Sequence, residues 1–348
     1  ENHTAADRCT RAIYECIITG SSESELLALH VAATAPYVTA WSIVEARHTS
    51  TGDPRTLADA FFAAPAIRSL GSRVQRDVVD LPCTGSGCNP LDNEMHQRAF
   101  CLQSLARFSA SHAQHAPLES DVLLVLDPDE VPSMQTLREI QTSGCKALDV
   151  VRLKMHTIYY DLGCPLPRGP FGGGGAKAGA TRAYIKHWFR IEADSRNDTW
   201  AGPNSTWAGA LRYGRFLVGA RVMTPPTAGY HLTNCMRYDG LRGKLLSYGH
   251  AEHASWAKAE LVYARITAGC AAMTADANRT GGPWGLLGRH VCSHGSLAHS
   301  AQHQWISDIL KRHLPHVYAR GLARDPVSGV VANGGLPYHG EESVMAMA

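Results

Sequence analysis

The chain has 348 residues, 45% of them hydrophobic, and 33 lysines and arginines against 31 aspartates and glutamates give a formal net charge of +2. A substantial core is affordable and wholesale disorder is excluded, while the scattered basic residues argue against nucleic acid as a partner. No stretch approaches 18 uncharged apolar residues, so nothing in the sequence reads as spanning a bilayer.

In chain order, residues 1–24 show a short helical pattern around "CTRAIYECIITG", followed by a Ser/Glu-rich turn. "ELLALHVAATAPYVTAWSIVEA" holds two apolar runs, the second β-rich and ending in Glu45. "TSTGDPRTL" is a loop by its Gly, Asp and Pro. "LADAFFAAPAIRSL" reads helical and "RVQRDVVDL" as a short strand. "DNEMHQRAFCLQSLARFSASH" predicts one helix, with Asp92 or Asn93 as N-cap and Met95, Phe100, Leu102 and Leu105 on its apolar face. "DVLLVL" is a strand whose unbroken apolar run demands burial on both faces. "SMQTLREIQTSG" is a helix started by Ser133 and stopped by Gly144, and "ALDVVRLKMHTIYYDL" makes one or two strands. The order strand–helix–strand–helix–strand over 35–162 predicts a parallel-rich sheet with helices on its faces. Residues 163–180, "GCPLPRGPFGGGGAKAGA", lack the GxxxxGK[ST] pattern of a phosphate cradle and read as a loop insertion. Strands and loops alternate from 181 to 260, ending in a helix that begins "YDGLRGKLL", and the tail offers one good helix, "SAQHQWISDILKRHL".

The chemistry concentrates where that buried strand ends. Asp127, Asp129 and Glu130 follow five apolar residues, Val122 to Leu126. Three like charges crowded there cost free energy unless something positive sits among them. Carboxylates two apart in an extended turn can both point at one hard cation, which would neutralise a departing diphosphate. The structural alternative is a helix cap, with Asp129 or Glu130 capping a helix after Val131. Paired carboxylates of a hydrolase would instead stand across a cleft, which a separation of two residues does not favour.

Ten cysteines and four Asn-x-Ser/Thr sequons, at Asn2, Asn197, Asn204 and Asn278, favour an oxidising secretory compartment with disulfides. No CxxC pair is present, which argues against zinc. Cys9–Cys16 and Cys83–Cys88 are possible short loops, though spacing alone does not decide the pairing. The first residue is Glu rather than Met, so the mature chain is expected to start after a removed signal peptide or anchor.

Four stretches together resemble glycosyltransferase family 17, the β-1,4-mannosyl-glycoprotein 4-β-N-acetylglucosaminyltransferases. They are "AWSIVEARHTSTGDPRTL" (40–57), "NEMHQRAFCLQSL" (93–105), "SDVLLVLDPDEVP" (120–132) and "AGYHLTNCMRYDGLRGKLLSYGHAEH" (228–253). The resemblance implies an α/β, GT-A-like nucleotide-sugar-binding fold with a mixed, mostly parallel sheet flanked by helices. It also implies inverting transfer from UDP-N-acetylglucosamine with Mn2+ or Mg2+, and residence in the secretory lumen, in the Golgi.

Carried over residue by residue, Asp127 and Asp129 stand in the metal–diphosphate position, with Asp129 the stronger candidate for metal contact. His231 is either a third metal or diphosphate contact or a satisfied core histidine. Glu45 and Arg98 fall near the donor nucleotide, although Arg98 also has Glu94 four residues earlier as a helix partner. Lys244 either reaches the diphosphate or is merely solvated. An inverting transfer needs a general base; Glu252 is the first choice, and Glu130 either orients the loop, meets the sugar or serves as that base.

The expected division is an N-terminal extension (1–30), a catalytic domain (31–270, with the 163–180 loop) and a C-terminal helical or irregular extension (271–348). The expected partners are a nucleotide sugar and a glycan or glycoprotein acceptor, with a membrane only through a lost N-terminal anchor. Pro128 stiffens the acidic turn, and 163–200 has no clear counterpart of the animal enzymes' acceptor region, so the donor is better supported than the acceptor. The competing class is a secreted carbohydrate-binding or structural glycoprotein that keeps the fold without turnover; retained crowded carboxylates favour the enzyme.

Overall fold

The computed structural model describes residues 11–85, 87–112, 121–142, 150–153, 155–160, 184–187, 221–223, 228–247, 257–258, 262, 266 and 304–323. The strands are β1 (Ile13–Thr19), β2 (Ala40–Ala46), β3 (Val74–Val79), β4 (Val122–Leu126), β5 (Glu130–Pro132), β6 (Val150–Leu153), β7 (His156–Tyr159), β8 (Tyr184–His187), β9 (Arg221–Met223) and β10 (Gly229–Thr233). The helices are α1 (Ser24–Thr34), α2 (Asp59–Ala63), α3 (Pro65–Arg68), α4 (Pro90–Ala99), α5 (Cys101–Ser111), α6 (Met134–Thr142), α7 (Tyr238–Ser247), α8 (Gln304–His313) and α9 (Pro315–Ala323). None of the described helices is long and apolar enough to cross a membrane.

The main sheet runs β3-β2-β1-β4-β8-β6-β9. Its first four strands are mutually parallel, β8 is antiparallel to both neighbours, and β9 is parallel to β6. This is the expected α/β arrangement of a mixed, mostly parallel sheet flanked by helices. Its centre corrects the sequence reading. "IYECIIT" is β1, not a helical turn, so the expected extension 1–30 contains the central strand. Ile13 and Ile17 pack into one core, while Tyr14, Cys16 and Ile18 pack into the other. Burial on both faces leaves no polar face to reveal the period of two, and the β-branched residues favour the strand.

Helix α1 also buries more than one face. Leu27 and Val31 meet α6 and the sheet, whereas Leu26, Leu29 and Ala33 join α7, α8 and α9 in a separate core. Each fully buried leucine is worth about 2 kcal/mol relative to exposure. On the sheet's other face, Leu105 and Phe108 of α5 cover Leu123 and Val125. There Cys16 bonds to Cys101, not to Cys9, and Cys83 bonds to Cys88.

The helix expected over 92–112 is two, broken at Phe100, and its cap is Asn89, whose side chain accepts the Leu91 N–H at 3.2 Å with Pro90 at the first helical position. Ser133 starts α6 as expected, accepting the Thr136 N–H at 3.2 Å. Gly144, the Gly-rich loop and the four sequons lie outside the described residues.

A smaller sheet, β5-β10-β7, stands beside the main one. It receives α8 and α9, the second of which was not foreseen; Pro315 ends one helix and opens the next. Arg320 of α9 donates to the carbonyls of Tyr160 and Met236, each at 3.0 Å.

His316, also on α9, provides a test of this packing. Burial, reinforced by the Arg320 and Arg237 guanidiniums, pushes its pKa down to about 3. Glu25 Oε2 stands 3.6 Å away, but Arg237 already holds that carboxylate at 2.7 Å. A histidine harder to protonate folded than unfolded makes stability fall as pH drops from about 6.5 towards 3. Urea unfolding of His316→Gln should therefore lose less stability between pH 6.5 and 4.5 than the unaltered chain. Equal slopes would contradict burial of the imidazole.

Candidate active site

In open α/β sheets, ligands gather outside the carboxyl ends of the strands where the strand order reverses. Here β1 lies between β2 and β4, so that place is bounded by Thr19-Gly20 after β1 and Asp127 after β4. Asp127-Pro128-Asp129-Glu130 forms a tight turn, with the Glu130 N–H donating to the Asp127 carbonyl at 3.0 Å and proline at its second position. The turn leads into β5 rather than a helix, which removes the helix-cap explanation of the acids.

Glu130 is buried, and its Oε2 accepts the Asp127 N–H at 3.0 Å. That contact matches the loop-orienting role among those expected for it. Beneath the turn, His30 Nδ1 stands 3.3 Å from the Pro128 carbonyl. Its Nε2 is 3.2 Å from Glu15 Oε2, which also accepts from Thr34 Oγ1 at 3.2 Å. Glu15, His30 and Thr34 are all fully buried, so they fix the acidic turn to β1 and α1.

Arg98 makes the expected helix pair with Glu94 and also reaches the acidic turn. Nη2 donates to Glu94 Oε1 at 2.9 Å and also to Asp127 Oδ1. Asp129 meets two cationic side chains from distant segments. Lys244 Nζ of α7 donates to its Oδ2 at 2.7 Å, and His231 Nε2 of β10 lies 3.5 Å from its Oδ1. Lys244 is therefore not a solvated helix lysine, and it also reaches Glu23 at 2.9 Å.

Local geometry explains these meetings. The β5–β10 register sets His231 opposite Glu130, and the Leu232 N–H donates to the Asp129 carbonyl at 2.7 Å. On α7, Gly243 lets the turn at Ser21–Glu23 close in, because a Cβ there would sit 2.9 Å from Ser22 Cβ.

The electrostatics follow. Burial alone would raise Asp129, but Lys244 and His231 hold it well below the usual carboxylate range. Burial would lower Lys244 and His231, yet Asp129 raises both, with Glu23 adding to the effect on Lys244. Five carboxylates (Glu23, Glu94, Asp127, Asp129 and Glu130) surround three basic groups, Arg98, Lys244 and His231. Burial raises Glu23 against the pull of Lys244. Among the described residues no three His, Cys, Asp or Glu side chains form a ready metal-ligand set. The oxygen and imidazole donors of Asp127, Asp129 and His231 are nevertheless of the kinds a divalent cation takes.

Glu45 ends up occupied by the protein itself. It is fully buried near the carboxyl end of β2, accepting the Ala58 N–H at 2.6 Å and Arg76 Nε at 2.8 Å. Glu252 lies outside the described residues. Sequence reasoning missed Glu23, His30 and Arg55; the first lay in a polar turn and the second inside an apolar run. Arg55 belongs to the rim loop, which is held by Asn93 Nδ2 to the Ser50 carbonyl at 3.0 Å and by the Ser50 N–H to the Ser247 carbonyl at 3.1 Å. Gly52, with φ of 95°, lets this loop meet the Cys83–Cys88 loop, where a Cβ would lie 2.6 Å from the Gly85 nitrogen.

Residues 2–169 match the family described as Glycosyltransferase family 17. No curated protein matches the chain in sequence. Among solved structures, a putative glucose-1-phosphate thymidylyltransferase from Bacillus anthracis is 11% identical, with a TM-score of 0.35, covering 61% of this chain and 86% of its own. The galactosyltransferase LgtC is 12% identical with a TM-score of 0.32, covering 70% of this chain and 95% of its own. The inositol-1-phosphate CTP transferase from T. maritima is 9% identical with a TM-score of 0.29, covering 62% and 85%. The matched span, residues 2–169, holds β1, the acidic turn and Arg98, so this part of the chain is similar to glycosyltransferase family 17.

Proposed function

We propose that this glycosyltransferase moves N-acetylglucosamine, with inversion, from UDP-N-acetylglucosamine to a mannose of a glycoprotein N-glycan. The observation that carries this reading is the acidic turn after β4, whose Asp127 and Asp129 are clasped by Arg98, Lys244 and His231 from three other segments. A site built this way is suited to an anion with a counter-ion. Held by Asp127, Asp129 and His231, Mn2+ or Mg2+ supplies positive charge to the departing diphosphate when bound.

Arg98 and Lys244 are fixed at the same turn, where their positive charge would stabilise the UDP leaving group without reorganisation. Glu130 keeps the turn in register through the Asp127 N–H. Glu252 is assigned as the base that removes the acceptor hydroxyl's proton, and Glu130 stands second. The Cys16–Cys101 and Cys83–Cys88 disulfides support a lumenal compartment, and the Golgi is the proposed one.

The test is transfer, or slow hydrolysis, of a panel of UDP-sugars with Mn2+ or with EDTA. UDP-N-acetylglucosamine should be preferred, and EDTA should lower its rate by at least about 10²-fold. Equal rates in EDTA would contradict the cation, and preference for another UDP-sugar would contradict the donor.

A further inference from the structure

We infer that Arg55 is a further donor-binding residue, one that grips a phosphate of the nucleotide sugar at the carboxyl end of β1. The inference rests on the reading of the site as a nucleotide-sugar site.

Arg55 lies in the rim loop after β2, its backbone N–H donating to the Arg47 carbonyl at 2.9 Å. Its guanidinium lies against Gly20. A Cβ at that position would sit 3.0 Å from Nη1 and 3.1 Å from Cζ, so the fork rests closely over this glycine. Nη1 donates to the carbonyl of Thr19, the last residue of β1, at 2.9 Å. Nε is buried and finds no partner among the described residues.

The contrast with the other arginines of this edge makes the case. Arg98 is held by Glu94 and Asp127, and Arg76 by Glu45 and Asp59. Arg55 has no carboxylate within ion-pair distance among the described residues, although Glu23 and Glu45 act on it from further away. A guanidinium presents five N–H donors in a fixed fork that matches phosphate oxygens. With one carbonyl satisfied, donors remain on a guanidinium that rests over Gly20 at the end of β1, the strand that pairs with β4 and its acidic turn. In an open α/β sheet that is where a ligand's phosphates lie. The acidic turn would then take the cation's side of the diphosphate and Arg55 the anion's side.

The alternative is that Arg55 merely ties the rim loop to the end of β1. Binding of UDP and of uridine, measured by calorimetry on the whole chain, separates the two. Arg55→Gln should weaken UDP about 10- to 100-fold, the worth of a charge-assisted hydrogen bond or two, while leaving uridine within about twofold. Arg55→Lys, which keeps the charge and loses the fork, should fall between. Rising salt should weaken UDP more than uridine in the unaltered chain, whether or not Arg55→Gln folds. Equal loss of UDP and uridine binding, or no loss of either, would overturn the assignment of Arg55 alone. Absence of UDP binding to the unaltered chain would overturn the nucleotide-sugar reading and this inference with it.

Discussion

Asp129→Asn is expected to lower kcat/KM for sugar transfer by about 10²- to 10³-fold, the usual cost of losing one preorganised electrostatic contact in an active site. The side chain is 3% exposed, and its two oxygens are committed to Lys244 and His231. Asn keeps the shape and one acceptor, so Lys244 retains a hydrogen bond, while Glu23 at 2.9 Å still compensates its charge. The stability cost should therefore stay at about 1–3 kcal/mol, below the cost of stranding a buried charge entirely. Activity and stability thus separate in this variant. Asp308→Asn on the exposed face of α8 is the matched control and should leave the rate unchanged. A rate within a few-fold of the unaltered enzyme would remove Asp129 from the site.

The second large effect is on stability. Cys16 on β1 and Cys101 on α5 are both fully buried and 85 positions apart in sequence, whereas Cys83 and Cys88 are only 5 apart. If a disulfide acts mainly by restricting the unfolded chain, its contribution grows with the logarithm of the loop it closes. Replacing both Cys16 and Cys101 by Ala should then cost about 4–5 kcal/mol, and the same change at Cys83 and Cys88 about 2 kcal/mol. Denaturant unfolding of the two double variants measures the difference. A larger loss from the short loop would show that contacts at the rim, not chain entropy, dominate.

The acidic turn was legible because its signal is local: five apolar residues followed by Asp-Pro-Asp-Glu cannot be read as an ordinary surface. The parallel sheet was legible from the same run. What the sequence hid was long-range. Nothing local says that Lys244 crosses 115 positions to reach Asp129, or that Glu23 meets it there, because Gly240 and Gly243 look like helix weaknesses until Ser22 is packed against them. β1 was mistaken for a helix because a strand buried on both faces shows no alternation. The cap at Asn89 lost to Asp92 and Asn93 in sequence because all three residue types cap well; Pro90 decides the register. Arg98 posed a choice between Glu94 and the donor nucleotide; it pairs with Glu94 and reaches Asp127 as well, a contact that no local signal announced.

The central claim is that the turn after β4 holds a nucleotide diphosphate together with a divalent cation. Calorimetric titration of UDP into the unaltered chain, with Mn2+ and then with EDTA, tests it most directly. The account predicts that Mn2+ tightens UDP binding at least about tenfold and that Asp127→Asn with Asp129→Asn abolishes the gain. UDP binding of equal strength in Mn2+ and EDTA, unchanged by the double substitution, would contradict it.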